Sequence, residues 1–209
     1  MSESNRVVII GGTSGIGLVT AQYLKNKGYE LIVAGRRSTD IERIETFKVD
    51  ICSEESVAEL FNVSLKHYDD INALVYSAGI AAPQRKIENF DKDLWDNIIA
   101  TNVTGALLTL KYSFNVLKRN RGRVAIVNSL AARRCSELSG MEYTASKAAL
   151  GALVRQLSIE WASDNVLINS VYPGMTMTPM LAENVSKDKL KEIEGKIPLG
   201  RIARPEEIA

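Results

Sequence analysis

Tyr143 and Lys147 lie four residues apart and could perform acid–base chemistry together. Side chains with this spacing share one face of a helix, which places a phenol beside an ammonium group. An ammonium ~5 Å away, at an effective dielectric of ~20, favours the phenolate by about 3 kcal/mol. We therefore expect Lys147 to lower the pKa of Tyr143 towards the range of a general acid–base group. Taken alone, the spacing is more often that of an interfacial tyrosine and a solvated lysine.

Two further polar residues fall at places where they could serve the same chemistry. Ser129 ends a predicted strand, and its hydroxyl could donate a hydrogen bond to a substrate carbonyl. It is not a hydrolase nucleophile, because Gly-x-Ser-x-Gly and a suitable histidine are missing from the sequence. Asn102 lies on the apolar face of a predicted helix, where an amide is costly unless it is satisfied. It either holds a water next to Lys147 or is a core asparagine satisfied by protein groups.

A glycine-rich turn spans residues 11–17 and joins a predicted strand to a predicted helix. Glycine tolerates positive φ and close approach of the backbone to a ligand, and helix N-termini bind phosphate. The spacing is not G-x-G-x-x-G, and a purely structural turn is the alternative. The strand before the turn and the helix after it favour a pyrophosphate site. Its predicted contacts are Gly11, Thr13, Ser14, Gly15, Ile16 and Gly17.

The residues after the second predicted strand bear on the choice of dinucleotide. NAD-binding proteins place an acidic residue there for the ribose hydroxyl groups. This chain has Arg36 and Arg37, and two guanidinium groups suit the 2′-phosphate of NADP. The alternative is that both are solvated loop arginines. Asp50 and Ile51 follow the third strand and could cap the adenine, unless Asp50 only stabilises a turn.

The elements that must position these residues alternate between strand and helix along the chain. This alternation predicts an α/β fold of Rossmann type, a doubly wound parallel sheet with helices on both faces. We expect one dinucleotide-binding domain over residues 1–209, with a substrate lid at about 175–200. In the helix over 91–119, Leu107 is among the residues predicted to face inward. The predicted strands are 6–10, 31–34, 47–49, 72–76, 123–127 and 167–171, the helices are 16–27, 53–68, 91–119 and 141–162, and a polar stretch at 38–45 has room for a short helical turn.

Composition excludes several classes of function. With 26 basic and 25 acidic residues the net charge is +1, which offers no basic surface for nucleic acid or an anionic membrane. No apolar run approaches the ~20 residues of a membrane span, and the N-terminus lacks a signal peptide. Two cysteines form neither a disulfide framework nor a metal site. We expect a cytoplasmic protein without a metal ion.

Several motifs in order resemble the short-chain dehydrogenase/reductase family along the whole chain. The resemblance is to the compact branch that includes 3-oxoacyl-carrier-protein reductases and sugar and steroid dehydrogenases. Besides the glycine turn, Asn102 and Ser129, the matching motifs are Ala78-Gly79, Tyr143-x-x-x-Lys147, Pro173-Gly174-x-x-x-Thr178, residues 197–201 and residues 205–207.

The resemblance implies roles for the matching residues. Tyr143 would be the proton donor, and Lys147 would bind the nicotinamide ribose and lower the pKa of Tyr143. Ser129 would hold the substrate oxygen, and Asn102 would anchor a proton-relay water. The remaining implied cofactor contacts are Ala78, Gly79, Pro173, Gly174, Thr176 and Thr178.

These residues predict an NADP(H)-dependent oxidoreductase that transfers a hydride to or from a carbonyl/alcohol substrate, a ketoreductase working as a homo-oligomer (dimer or tetramer). The alternatives are an NAD-linked sugar or polyol dehydrogenase, an epimerase or dehydratase, and a silent dinucleotide-binding regulator. Arg133 and Arg134 either meet a phosphopantetheine or acyl carrier surface or are solvated. An apolar pocket, which favours a 3-oxoacyl or alicyclic ketone over a sugar, is predicted from Ala131, Leu138, Met141, Met175, Met177 and Met180.

The chain departs from the family pattern at three places. Ile10 stands where the family usually has threonine, and Tyr76-Ser77 replaces the first two residues of Asn-Asn-Ala-Gly. The usual tie between the fourth strand and its neighbour is therefore expected to differ. The chain stops at Ala209, before the helix and seventh strand that members normally have. We expect a truncated form with an unpaired sixth strand.

Overall fold

Six parallel strands form one sheet in the computed structural model, which describes residues 5–37, 41, 44–67, 70–83, 86–136, 138–183 and 185–209. The strand order is β3-β2-β1-β4-β5-β6, so the direction of winding reverses between β1 and β4. This order confirms the predicted Rossmann-type sheet, and it places the ligand crevice at the carboxyl ends of those two strands. The strands are β1 (Arg6–Ile10), β2 (Glu30–Gly35), β3 (Glu45–Lys48), β4 (Ile71–Tyr76), β5 (Arg123–Val127) and β6 (Leu167–Val171).

Helices cover both faces of the sheet because alternate strand residues point to opposite sides. On one side, Val7 and Ile9 of β1 pack with the first helix. On the other, Val8 and Ile10 join the larger core with the second, fourth and fifth helices. None of the described helices is long and apolar enough to cross a membrane. The helices are α1 (Gly15–Asn26), α2 (Glu54–His67), α3 (Lys92–Ile99), α4 (Gly105–Arg119), α5 (Met141–Glu160), α6 (Pro179–Ala182) and α7 (Lys187–Glu194).

The predicted strands are all present, and so are the helices predicted at 16–27, 53–68 and 141–162, with ends that differ by a residue or two. The sequence placed the third strand at 47–49, whereas β3 begins at Glu45 and ends at Lys48. The predicted end of the second helix, Tyr68, lies outside the described residues, and so do residues 38–40 and 42–43 of the short polar stretch. The observed strand ends differ from the predicted ones because backbone pairing with a neighbouring strand, rather than hydrophobicity, decides where a strand stops.

The predicted helix 91–119 is interrupted by a π-helical turn, Ala100–Thr104, which lies between α3 and α4. The amide of Gly105 donates to the carbonyl of Ala100, which closes the wider turn. Because this turn holds more residues than an α-helical one, it rotates the face of everything downstream. The prediction that Leu107 faces inward is therefore wrong: Leu107 is 40% exposed, whereas Ala106 and Leu110 are buried.

The stretch predicted as a lid contains the two short helices α6 and α7. Its beginning is paired with a later segment of the chain. The amide of Met177 donates to the carbonyl of Ala203, and the amide of Ala203 donates to the carbonyl of Met175. The start of this stretch is thus held by backbone hydrogen bonds to Ala203.

Candidate active site

The glycine turn between β1 and α1 has a geometry that only glycine fits. Gly11 has φ of +78°, and a Cβ there would lie 2.5 Å from the backbone nitrogen of Ala78. A Cβ on Gly17 would collide with the carbonyl oxygen of Gly11. Ser14 begins α1 without a side-chain capping bond, and the first turn of α1 carries no acidic residue. The N-terminus of α1 is therefore not capped by the side chain of Ser14 and could receive an anion.

The end of β2 lies against this turn. A Cβ on Gly35 would lie 2.6 Å from the hydroxyl oxygen of Thr13, so the two segments touch. Arg36 and Arg37 follow directly and are exposed. Both alternatives for this pair, a phosphate contact and a solvated loop, fit that exposure. The structure thus brings the arginines next to the turn without assigning them a partner.

Asp50 and Ile51 have structural contacts of their own. The carboxylate of Asp50 accepts a hydrogen bond of 2.9 Å from the amide of Cys52, as expected of an aspartate that stabilises a turn. Ile51 is buried, and a Cβ on Gly105 would come within 3.0 Å of its side chain. Ile51 therefore packs where α4 begins.

Tyr143 lies in the first turn of α5, as predicted, but its pKa differs from the expected one. Burial raises the pKa of Tyr143, and a hydrogen bond with Ser129 opposes the shift without cancelling it. The expectation that Lys147 lowers this pKa is wrong for the chain by itself, because desolvation penalises the phenolate more than the neighbours stabilise it. Lys147 Nζ lies 5.7 Å from the centroid of the Tyr143 ring.

Lys147 is buried beneath this tyrosine. Its Nζ donates a hydrogen bond of 3.2 Å to the carbonyl oxygen of Val127, the last residue of β5. Burial lowers the pKa of Lys147 to about 8. A Cβ on Gly79 would lie 3.5 Å from Nζ, so the predicted motif Ala78-Gly79 leaves room for the ammonium group.

Asn102 is fully buried in the π-helical turn, and its side chain is satisfied by protein groups. Its Oδ1 accepts from the amide of Ile80 at 2.8 Å, and its Nδ2 donates to the carbonyl of Ile80 and to Ser146 Oγ, both at 2.9 Å. These bonds fit the second alternative, a core asparagine satisfied by protein groups. Both amide hydrogens are used, so any water would have to bind to an oxygen of Asn102. Sequence reasoning missed Ile80 and Ser146, although Ser146 lies beside Lys147 in the same motif.

Ser129 begins a short 3₁₀ turn after β5. Its Oγ accepts from the amide of Ala131 at 3.1 Å, which leaves the hydroxyl hydrogen to donate elsewhere. The loop is fixed to the end of β6, because the amide of Leu130 donates to the carbonyl of Pro173 at 2.9 Å. Ser129 and the segment from Pro173 are therefore held side by side.

The segment after β6 reaches back to the glycine turn. A Cβ on Gly15, where φ is +54°, would lie 3.6 Å from the side chain of Thr178. Thr176 is buried, and its hydroxyl donates to the carbonyl of Gly174 at 3.2 Å. The residues from Gly174 to Thr178 thus border the glycine turn at one end and the loop of Ser129 at the other.

The predicted pocket residues differ in exposure. Met180 is 40% exposed, whereas Ala131, Leu138, Met141 and Met175 are partly buried. The sequence reasoning missed Leu130, which is 39% exposed and whose Cδ1 would lie 3.4 Å from a Cβ on Gly174. The sequence feature that could have revealed Leu130 is its position next to Ser129.

The two loop arginines beyond Ser129 are both exposed. The Arg133 guanidinium stacks over the ring of Tyr172, 4.1 Å from its centroid. A cation–π contact of this kind braces the Ser129 loop against the end of β6. Arg133 therefore has a structural partner, and an acyl carrier surface is not needed to explain it.

Comparison with known proteins places the chain among oxidoreductases. The family profile described as enoyl-(acyl carrier protein) reductase matches residues 11–209. The chain is 31% identical over 218 residues to the 3-oxoacyl-[acyl-carrier-protein] reductase of Aquifex aeolicus, covering 97% of this chain and 86% of that protein. It is 29% identical over 213 residues to the cis-4-hydroxycyclohexanecarboxylate dehydrogenase of Sinomonas cyclohexanicum, covering 97% of this chain and 85% of that protein.

Among solved structures, that of ElxO with NADP bound superposes on this chain with a TM-score of 0.89. The alignment covers 98% of this chain and 88% of ElxO, at 22% sequence identity. At that identity the likeness concerns the fold, and it agrees with the strand order seen here.

Proposed function

The chain belongs to the short-chain dehydrogenase/reductase family, and we propose that it transfers a hydride between NADP(H) and a carbonyl or alcohol substrate. The observation that supports this most is the grouping of Ser129, Tyr143 and Lys147 at the sheet edge that also carries the glycine turn. We propose further that the chain forms one domain, with residues 175–200 as a lid over the substrate, and that it works as a homo-oligomer.

The residues present fit a dinucleotide. Gly11 and Gly17 let the turn pack closely against Ala78 and against its own backbone, and the N-terminus of α1, which the side chain of Ser14 does not cap, could bind a pyrophosphate. Lys147 would hold the nicotinamide ribose, and Gly174 to Thr178 would border the ring. The bound cofactor would supply or accept the hydride.

The chain itself handles the proton. Ser129 would donate a hydrogen bond to the substrate oxygen, and Tyr143 would transfer its phenolic proton to the alkoxide that develops there. Because burial raises the pKa of Tyr143, the phenol is protonated at neutral pH, which is the form that reduction requires. Lys147, with a pKa of about 8, is mostly charged at that pH and stabilises the phenolate left behind.

The preference for NADP(H) is supported by Arg36 and Arg37 at the end of β2, next to the phosphate turn. An apolar substrate is supported by the exposed side chains of Leu130, Met177 and Met180 around the site. Similarity to a 3-oxoacyl reductase and to a dehydrogenase of an alicyclic alcohol agrees with this choice. We therefore propose a 3-oxoacyl or alicyclic ketone as the class of substrate.

A substrate panel followed by nicotinamide absorbance tests the proposal. Short 3-oxoacyl thioesters and substituted cyclohexanones are offered with NADPH or NADH, and aldoses and polyols with NADP⁺ or NAD⁺. We expect turnover of the ketones, faster with NADPH. Turnover of sugars with NAD⁺ alone would instead assign a sugar or polyol dehydrogenase. Tight NADPH binding without any turnover would assign a dinucleotide-binding regulator.

A further inference from the structure

Tyr76 is the last residue of β4 and stands where the family usually has asparagine. Its side chain is fully buried, and its hydroxyl donates a hydrogen bond of 3.2 Å to the carbonyl oxygen of Thr101. Burial raises the pKa of Tyr76 far above its usual range, so the hydroxyl keeps its proton wherever the protein is folded. A buried donor with a single backbone acceptor is a fixed link between β4 and that backbone.

The acceptor lies in the π-helical turn Ala100–Thr104. Such turns are rare inside α-helices and persist where neighbouring groups hold them. Two further contacts brace this turn. Cys52 Sγ lies 3.6 Å from Thr101 Oγ1, and Ile51 packs against Gly105 at the end of the turn. The hydrogen bond from Tyr76 is therefore one of three contacts that hold the turn and its end in place.

The same turn carries Asn102, one residue beyond the acceptor. Asn102 clamps Ile80 through two hydrogen bonds and also bonds to Ser146 on α5. A Cβ on Gly79 would lie 3.2 Å from Asn102 Oδ1 and 3.5 Å from Lys147 Nζ, so the amide and the ammonium border the same small space. Any rotation of the turn would move Asn102 relative to Ser146 and Lys147.

We propose that the hydroxyl of Tyr76 is a positioning group for the active site. Its hydrogen bond to Thr101 holds the π-helical turn in the register that sets Asn102 against Ser146 and beside Lys147. Tyr76 thus acts through the turn and touches neither substrate nor cofactor. The proposal rests on the proposed function, because the position of Lys147 affects turnover only in an enzyme that uses it.

The test replaces Tyr76 by phenylalanine, which keeps the ring and removes the donor. At saturating substrate and NADPH we expect kcat to fall about tenfold and the Kd of NADPH to stay within about twofold. Tyr112→Phe is the matched control. It removes a phenol of α4 that donates to Glu54 of α2 in an exposed hydrogen bond. It should leave kcat unchanged. Installing p-aminophenylalanine at position 76 restores a donor on the same ring and should recover most of kcat.

Hydrogen–deuterium exchange gives a readout that does not need turnover. In Tyr76→Phe, the amide of Gly105, which closes the π-helical turn, should exchange faster than in the wild type, whereas Tyr112→Phe should leave it unchanged. If the wild type reduces no carbonyl, the proposed function fails while this exchange comparison still decides the role of Tyr76.

Three results would overturn the positioning role. The first is an unchanged kcat per folded molecule in Tyr76→Phe, even with a lower melting temperature. The second is unchanged exchange at Gly105. The third is a loss of NADPH affinity as large as the loss of kcat, which would mean that Tyr76 acts on cofactor binding at the glycine turn. If the phenylalanine variant does not fold, the p-aminophenylalanine protein decides, and a folded form with strongly reduced kcat would count against the proposal.

Discussion

The two ends of the candidate cofactor crevice are built in opposite ways. At the reacting end, Asn102 and Lys147 are buried and hydrogen-bonded to backbone or side-chain groups of the protein. At the adenosine end, Ser14, Arg36 and Arg37 are exposed, and the hydroxyl of Ser14 does not cap its own helix. The first end is assembled by folding, whereas the second presents exposed side chains.

The two ends differ in how much desolvation cost they carry in the folded protein. Burying Lys147 lowers its pKa to about 8, so the protein bears a desolvation cost at the reacting end before any ligand binds. Preorganised polar groups of this kind are what accelerates a chemical step. The exposed arginines carry no comparable cost, so changes there should alter binding without altering stability.

The largest effect should come from removing the phenol at the reacting end. In Tyr143→Phe the proton donor is lost while the ring still packs, so we expect kcat to fall by ~10²–10⁴ with little change in the Kd of NADPH. Single-turnover kinetics and fluorescence titration of NADPH measure the two quantities. Near-normal kcat on a good substrate would show that Tyr143 is not the proton donor. The reacting end would then not differ from the adenosine end in the way proposed.

The next effect concerns stability and follows from the pKa of Lys147, which burial lowers from 10.5 to about 8. Between these values the unfolded chain binds more protons than the folded one, so the free energy of unfolding rises with pH. Tyr143 and Tyr76 have raised pKa values and act in the opposite direction as the tyrosines of the unfolded chain ionise near pH ~10, which limits the window to pH 8–10. Over that window we expect a gain of about 2 kcal/mol.

Urea unfolding of the wild type and Lys147→Met between pH 8 and 10 measures this gain. The variant keeps an apolar side chain of similar length and has no proton to bind, so its stability should lack the rise. Other titrating groups contribute equally to both proteins and cancel in the difference. Parallel curves would mean that Lys147 keeps an ordinary pKa and that the reacting end bears no special desolvation cost.

The sequence predicted the fold well because hydrophobic runs and glycine positions are local signals. Strand β1, the turn from Gly11 and the start of α1 follow from apolar residues and from glycines that no other residue could replace. The pKa of Tyr143 could not be predicted in the same way. The direction of the pKa shift depends on how far burial outweighs a charge nearby, and burial is set by the packing of distant segments.

The π-helical turn shows a second limit. An apolar pattern over 91–119 indicates one helix, and an inserted residue does not disturb the composition, so Leu107 was placed on the wrong face. The partners of Asn102 were equally hidden, because Ile80 lies 22 residues away in sequence. Only the meeting of β4 with the turn in three dimensions reveals why a buried amide is tolerated there.

The smallest effect should appear at the adenosine end. Replacing Arg36 by alanine removes an exposed charge that can pair with a 2′-phosphate, so we expect NADPH to bind about tenfold more weakly. NADH lacks that phosphate, and its Kd should change by less than about twofold. Isothermal titration with both cofactors, at two ionic strengths, measures the difference, which should shrink as salt screens the exposed pair.

Arg119→Ala is the matched control, because it removes an equally exposed arginine from the end of α4. It should leave both affinities unchanged, and neither variant should shift the melting temperature, since neither side chain is buried. Equal losses for NADPH and NADH in Arg36→Ala would refute the contact with the phosphate. A marked loss of stability would be more informative still, because it would mean that the adenosine end, like the reacting end, is assembled by folding.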